Sequence, residues 1–219
     1  MRGVAPLTSM IPAMSEPETQ PYGTDLPQGG TVRPIVRWGA PVMHRTQEPI
    51  TSFDDDLRGL VADMAATMYA AEGVGLAACQ IGVDRSVFVF DCPDAEHAHH
   101  RGVVCNPELY LPVGRRRHLD DGEEGCLSLP GAFISCPRPD FARVDGQGLD
   151  GEPVSYSGTG LLARCLQHEA DHCHGTVFGD KLHKRTRKKL FKRAEDTASD
   201  FPDDWPVSPS TAHPDLLAE

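Results

Sequence analysis

The sequence predicts an α+β fold, with mixed or antiparallel strands around a central helix and a further helix towards the C-terminal end. Three segments have the character of helices, and several short apolar segments between them have the character of strands. The two kinds of segment do not alternate regularly, as they would in a parallel α/β fold. The 21 Gly and 19 Pro residues indicate many turns between these elements.

The first predicted element is a strand-like segment from Arg33 to Trp38. A helix is expected to follow Ser52 and to end at Gly73, because acidic residues occupy its first turn and apolar residues recur at three- and four-residue spacing. These apolar residues are Leu57, Leu60, Val61, Met64 and Met68. Their spacing places them on one face, which we expect to pack against the core.

The remaining strands are predicted downstream of this helix, from runs of apolar and β-branched residues. They cover residues 85–92, 102–110, 132–138, 141–148 and 154–158. A second helix is expected at 159–174 and a third at 184–198. The second is the predicted central helix, and it carries the sequence QHEADH at 167–172.

The 219 residues suffice for one domain of ordinary size, with some left over at both ends. Residues 1–30 are rich in Pro, Gly, Thr and Glu and are predicted to be a flexible leader. Residues 31–198 are predicted to form the folded domain. The acidic, Pro-containing residues 199–219 are predicted to be a disordered tail.

The charge distribution limits the classes of partner. A formal net charge of −11 argues against binding to DNA or to nucleic acid in general, since phosphate contacts need a basic surface. The exception is residues 181–193, which contain eight Lys or Arg residues and no acid.

The cysteines and the apolar runs predict the compartment. Seven cysteines, an odd number without a C-x-x-C pair, do not suggest a disulfide framework, so a reducing environment is expected. We find no signal peptide and no apolar run long enough to cross a bilayer. These observations predict a cytoplasmic protein without membrane contact.

The strongest chemical signal lies on the second helix. His168 and His172 are four residues apart, so both can reach one metal ion from the same helix face. Glu169 is placed to address a water at that ion without ligating it, which is typical of metallohydrolases. The His-Glu-x-x-His pattern is loose, however, and it also arises by chance when two histidines lie four residues apart on the surface of a polar helix. A metzincin protease would require histidine at Phe178, and a thermolysin-like site would need a ligand as distant as Glu195.

Two upstream segments extend the pattern to three motifs. They are GVGLAACQ at 73–80 and EEGCLSLP at 123–130, and they precede QHEADH at 167–172. These segments, in this order, closely resemble the three motifs of the peptide deformylase family. The resemblance extends from about Val32 to Arg193 and implies that residues 31–198 form a catalytic domain similar to that of peptide deformylases.

The resemblance implies both the metal site and the reaction. Cys126, His168 and His172 would bind one divalent metal ion, most often Fe²⁺ in this family, with Zn²⁺, Ni²⁺ or Co²⁺ as alternatives. The enzyme would remove the N-formyl group from the initiator methionine of nascent polypeptides and release formate. A metal-bound hydroxide would attack the formyl carbon, and Glu169 would act as general base and then as acid. Gln80 and the Leu127 backbone N–H would donate hydrogen bonds to the oxyanion.

The resemblance also implies the substrate contacts and a partner. The substrate-binding residues would be Val74, Gly75, Gly125, Leu161 and Cys165. Arg164 and Gly122 stand at pocket positions where bulkier apolar residues are common, and Arg164 is expected to contribute its aliphatic stem. Because deformylases meet nascent chains at the ribosome, the basic residues 181–193 are a candidate contact with ribosomal RNA; the alternative is a solvated helix face.

Several residues depart from the family pattern or suggest other readings. Phe133 replaces an arginine found in several relatives, and Cys173 and His174 follow the second histidine where leucine is usual. We expect Cys173 to be a core residue. The histidines of HAHH, at 97, 99 and 100, are expected in a solvated loop.

Two other functions remain as competing hypotheses. One is a zinc endopeptidase, against which the upstream Cys126 and the downstream Phe178 both speak. The other is a noncatalytic module whose three ligands and a fourth protein ligand close a structural site. Such a structural site would need neither Glu169 nor Gln80, although both are present.

Overall fold

The computed structural model describes residues 25–211 and confirms the α+β prediction. The strands are β1 Gly75–Ala77, β2 Val87–Pro93, β3 His99–Tyr110, β4 Leu119–Asp120, β5 Glu123–Cys126, β6 Leu129–Ser135, β7 Arg138–Pro139, β8 Phe141–Gln147 and β9 Pro153–Thr159. The helices are α1 Asp55–Ala70, α2 Gly160–Cys173, α3 Phe178–Lys181 and α4 Lys184–Asp196. None of the helices in this part of the chain is long and apolar enough to cross a membrane.

The strands form one larger sheet and two small ones. The larger sheet has the order β1-β2-β3-β8-β9, and β4 pairs with β7 and β5 with β6. Every pairing is antiparallel, so the sheets are antiparallel rather than mixed. β1 lies at an edge of the larger sheet, and β5 has β6 as its partner, which matters for the site described below.

Strand β2 explains why both faces of the larger sheet are covered. Residues Val87 to Phe90 are all fully buried. Because successive side chains of a strand point to opposite faces, Phe88 and Phe90 join a core with α2, whereas Val87 and Val89 join a core with α1. The continuous apolar run in the sequence therefore reflects burial on both sides.

The two long helices lie on these two cores. Helix α1 begins after Asp54, whose carboxylate accepts a hydrogen bond from the Leu57 N–H at 3.1 Å and so caps the helix. Helix α2 is buried along nearly its whole length and contacts β2, β3 and β8, which confirms the predicted central helix. Its burial on all sides explains how it can present functional groups inside the protein.

Two local predictions are wrong. The segment from Arg33 to Trp38 is not a strand: it forms isolated bonds, from Val36 N to Gln80 O at 2.8 Å and from Trp38 N to Ser128 O at 3.0 Å. The HAHH segment is not wholly a loop either, because its last two histidines begin β3. His99 pairs with Asp91 at 2.9 Å and His100 with Asp94 at 2.8 Å.

The predicted leader and tail are also wrong where the structure describes them. Leu26 is buried in the core with α1, and a side chain at Gly30 would collide with the backbone of Ala62. Residues 199–211 pack on the same side, since Trp205 is buried and its carbonyl accepts the Ile35 N–H at 2.9 Å. The rest of the predicted leader and tail, residues 1–24 and 212–219, lies outside the described residues.

Candidate active site

Three predicted metal ligands converge at the junction of β5 and α2. The Cys126 Sγ atom lies 3.4 Å from His172 Nε2, which lies 3.1 Å from His168 Nε2. All three residues are buried, and the ligand atoms lie within 4.8 Å of one another. Within residues 25–211 no other three His, Cys, Asp or Glu side chains were found to converge in this way.

The local structure explains how these side chains meet. His168 and His172 are one turn apart on α2, so their rings lie on the same face. The β5–β6 pairing shifts register between Gly125 and Cys126, which places the cysteine at the irregular end of the strand. One sulfur and two imidazole nitrogens suit a borderline divalent cation and leave a fourth position open, as catalytic sites do. The residues present therefore fit a metal ion.

Glu124, which was not among the residues predicted from the sequence, orients the first histidine. Its Oε1 atom lies 2.7 Å from His168 Nδ1, so the ring donates its proton there and keeps Nε2 free for a metal. The signal was present in the sequence, because residues two apart in a strand point the same way and Glu124 is two before Cys126.

Two arginines hold this carboxylate in place. Arg138 donates to both Glu124 oxygens, at 2.9 and 2.6 Å, and Arg164 donates to Oε2 at 3.0 Å. Burial alone would raise the pKa of Glu124, but the hydrogen bonds from Arg138 and His168 hold that pKa well below its ordinary value. Arg138 also bonds Asp171 on α2 at 2.6 Å. The strand that bears the cysteine is thereby fastened to the helix that bears the histidines.

Glu169 is a carboxyl group suited to proton transfer. Burial raises its pKa to about 7, so it can both accept and release a proton near neutrality. A cation beside it would lower this pKa, because positive charge favours the carboxylate. Its Oε2 atom is buried and, within the described part of the chain, has no hydrogen-bond partner. That oxygen is available to a bound water or substrate.

Gln80 is fixed beside the ligands. It lies in a short 3-10 turn, Ala78–Ile81, that directly follows β1. Its Oε1 atom accepts the Ala77 N–H at 2.8 Å, and its Nε2 atom lies 3.6 Å from Cys126 Sγ. The bond to Ala77 identifies the oxygen, so the NH₂ group faces the ligand cluster.

The candidate residues surround one cleft of about 780 Å³. Its lining contains all five predicted substrate-binding residues, Val74, Gly75, Gly125, Leu161 and Cys165, together with Gln80, Leu127, Cys126, His168 and Glu169. His172 is the exception, because it is fully buried behind the lining. A side chain at Gly75 would place its Cβ 2.6 Å from Glu169 Oε1 and 2.8 Å from Cys165 Sγ, so any other residue there would have to displace these two side chains.

The departures from the family pattern have distinct structural roles. Arg164 lines the cleft but is 7% exposed, and its guanidinium is bonded to Glu124, to Asp120 and to the Cys136 carbonyl. Phe133, 55% exposed, packs over Gly125 at the cleft. Cys173 is buried in the core, as expected.

The position where a metzincin would have its third histidine is also a core position. Phe178 is buried there, with its ring centroid 5.8 Å from that of His168. An aromatic hydrocarbon ring offers no metal ligand, so the protease alternative gains no support.

Comparisons with known proteins agree with this geometry. The family model described as polypeptide deformylase matches residues 32–188. Peptide deformylase 1 of Streptomyces avermitilis is 52% identical over 174 residues, which cover 79% of this chain and 80% of the relative. Peptide deformylase 2 of Streptomyces coelicolor is 49% identical over 164 residues, which cover 75% of this chain and 90% of the relative. The crystal structure of a peptide deformylase from Legionella pneumophila is 36% identical with a TM-score of 0.68, covering 77% of this chain and 96% of that one. The chain belongs to the polypeptide deformylase family, whose enzymes remove the N-formyl group from nascent peptides.

Proposed function

We propose that this deformylase binds one divalent metal ion through Cys126, His168 and His172, and that Fe²⁺ is the native metal. The observation that carries the proposal is the convergence of these three buried ligand atoms within 4.8 Å beside the cleft. When bound, a divalent cation supplies Lewis acidity, which makes water more acidic and polarises the formyl oxygen. A thiolate with two imidazoles suits Fe²⁺ as well as Zn²⁺, Ni²⁺ and Co²⁺, and the family resemblance favours Fe²⁺.

Glu169 is the proposed proton carrier. Its Oε2 atom, which has no hydrogen-bond partner among residues 25–211, accepts the proton of the attacking water and then delivers it to the nitrogen of the leaving amine. Burial raises the pKa of this carboxyl and so offsets the lowering that a bound cation would cause, which supports both the uptake and the release of a proton. The products are formate and a free N-terminal methionine.

Two donors are proposed for the negative charge on the formyl oxygen. The Gln80 NH₂ group faces the ligand cluster, and Leu127 follows Cys126 directly and lines the cleft. Preorganised donors of this kind are each worth about 3 kcal/mol in comparable sites. Both hydrogen bonds would become stronger as negative charge develops on the oxygen, so they would stabilise the transition state more than the bound substrate.

The substrate backbone is proposed to lie along β1. This strand pairs with β2 on one side and is an edge of its sheet, so an extended peptide can add to it. Gly75 would bond the peptide backbone, and Gly125 would contact it from the β5 side, next to the Phe133 ring that packs over this glycine. The methionine side chain would contact Val74, Leu161 and Cys165.

The decisive experiment measures formate release from a formyl-methionyl tripeptide. The protein is purified without oxygen and loaded separately with Fe²⁺, Ni²⁺, Co²⁺ or Zn²⁺. Rapid release with Fe²⁺, and iron in protein isolated anaerobically from its own cells, are the expected results. Folded, metal-loaded protein that releases no formate would refute the catalytic roles, and zinc in the isolated protein would refute the metal identity.

We also propose that α4 contacts ribosomal RNA. Lys184, Arg185, Lys188 and Lys189 are exposed, and their spacing puts them on one side of the helix. Within residues 25–211 these four form no ion pair, whereas Lys181 and Lys192 each pair with an aspartate. A basic face without partners suits a phosphate backbone.

This contact can be separated from catalysis by matched charge reversals. The triple variant K184E/R185E/K188E should co-sediment less with ribosomes, with little change in tripeptide turnover. The control R115E/R116E/R117E changes the net charge equally at another exposed site and should co-sediment normally. Equal losses in both variants would refute a specific role for α4.

The cytoplasm is the proposed location, because formylated chains are made there. The cysteines support it: all seven are free and buried. A reducing environment is the one in which unpaired thiols persist.

A further inference from the structure

A segment beyond the family match forms part of the substrate cleft. Residues 200–210, called here the C-terminal wall, follow residues 32–188, the part that matches the family. Four of its apolar residues line the cleft, namely Phe201, Trp205, Pro206 and Pro209. The same cleft reaches Glu169 and Cys165, so the wall and the catalytic groups share one space.

The C-terminal wall is held firmly in place. Trp205 is 6% exposed and belongs to the core with α1, and its ring packs edge-on against Phe201 with centroids 5.2 Å apart. Arg37 donates hydrogen bonds to the carbonyls of Phe201 and Pro202 at 2.9 and 3.0 Å. At the far end, the Thr211 N–H donates to Asp200 O at 2.9 Å and closes the segment into a loop. A surface that is already fixed loses little conformational entropy when a ligand binds, which favours affinity.

The wall belongs to a different side of the cleft from the methionine pocket. Cys165, in the pocket, is part of the core under α2. Phe201 packs against the other core, together with Leu127. The cleft therefore has a second apolar side that the methionine side chain does not use.

We propose that the C-terminal wall is a binding site for the side chain of the second residue of the nascent peptide, and that it selects apolar and aromatic residues there. This inference rests on the proposed peptide-binding mode along β1. Side chains of an extended peptide alternate between opposite sides. When methionine points towards α2, the next side chain points away from α2, towards Phe201 and Pro209. Aromatic rings and prolines offer apolar surface to such a side chain.

The test compares kcat/KM for formyl-Met-Phe-Ala with kcat/KM for formyl-Met-Ala-Ala, using the full-length metal-loaded enzyme. In the wild type, kcat/KM for the phenylalanine substrate should be roughly tenfold higher, which is the discrimination that burying a few extra carbon atoms in an apolar site provides. In Phe201→Ala the ratio of the two kcat/KM values should fall close to one. Pro209→Ala, at an exposed position that should not affect folding, should reduce it by about half.

Val207→Ala is the matched control. Val207 lies in the same segment and is 51% exposed, but it does not line the cleft, so the preference should stay at the wild-type value. An unchanged preference in both Phe201→Ala and Pro209→Ala would overturn the inference while leaving the deformylase mechanism intact. Absence of formate release from both substrates by the wild type would instead overturn the proposed mechanism, and the inference with it.

Discussion

Replacing Glu124 by glutamine should weaken both the fold and the metal site. The carboxylate is buried and accepts hydrogen bonds from Arg138, Arg164 and His168. Glutamine keeps the shape, but its NH₂ group meets a donor where the carboxylate offered an acceptor. Removing one partner of a buried ion pair costs about 3–5 kcal/mol. The lower end of this range, about 3 kcal/mol, applies here because each arginine retains another carboxylate partner. Arg138 still pairs with Asp171, and Arg164 still pairs with Asp120.

This loss is measurable in two ways. For a domain of this size, about 3 kcal/mol corresponds to a fall in Tm of roughly 6–12 °C. Metal affinity, measured by competition with a chelator, should fall by about 10- to 100-fold, because His168 loses the group that fixes its tautomer. The control is Glu123→Gln at the exposed neighbouring position. A Glu124→Gln variant with wild-type Tm and wild-type metal affinity would refute the reasoning.

Three further predictions concern the catalytic groups. Glu169→Ala should lower kcat by about 10²–10⁴-fold with the metal content unchanged, since only proton transfer is removed; loss of metal in this variant would contradict the assigned role. Gly75→Ala should lower kcat/KM by about 100-fold, because its Cβ would lie 2.6 Å from Glu169 Oε1 and 2.8 Å from Cys165 Sγ; wild-type kinetics would show that the collision is relieved. Removal of metal by a chelator should abolish formate release, and adding back Fe²⁺ or Ni²⁺ should restore it; activity that survives verified removal would exclude a catalytic metal.

The sequence was sufficient to predict the fold class and to bring two of the three candidate ligands together, because both inferences depend on short-range patterns. Spacing of four on a helix brings His168 and His172 together whatever surrounds them. Cys126 could be joined to them only through the order of the three motifs. A glycine such as Gly75 is readable as a place of close approach, although the atoms it approaches are on another element.

Features that depend on distant parts of the chain were not predictable in this way. Trp205 sits in an acidic, Pro-containing segment whose composition indicates disorder, yet its ring is buried in a core formed by α1. The Arg33–Trp38 segment has strand-like composition but bonds singly to Gln80, Ser128 and Trp205 instead of joining a ladder. In both cases the partners lie far away in sequence, so local composition carries no information about them.

A network of ion pairs around α2 compensates the charge of Arg164, which lies at the proposed methionine pocket. Three cations and three anions form one connected network: Arg138, Arg164 and Lys181 with Asp120, Glu124 and Asp171. Arg164 is bound at both guanidinium ends within this network, so its charge is compensated away from the substrate and its stem is what remains for the pocket. The same network fixes Glu124 against His168. A single set of ion pairs therefore compensates the charge of Arg164 at the proposed pocket and orients His168, one of the three proposed metal ligands.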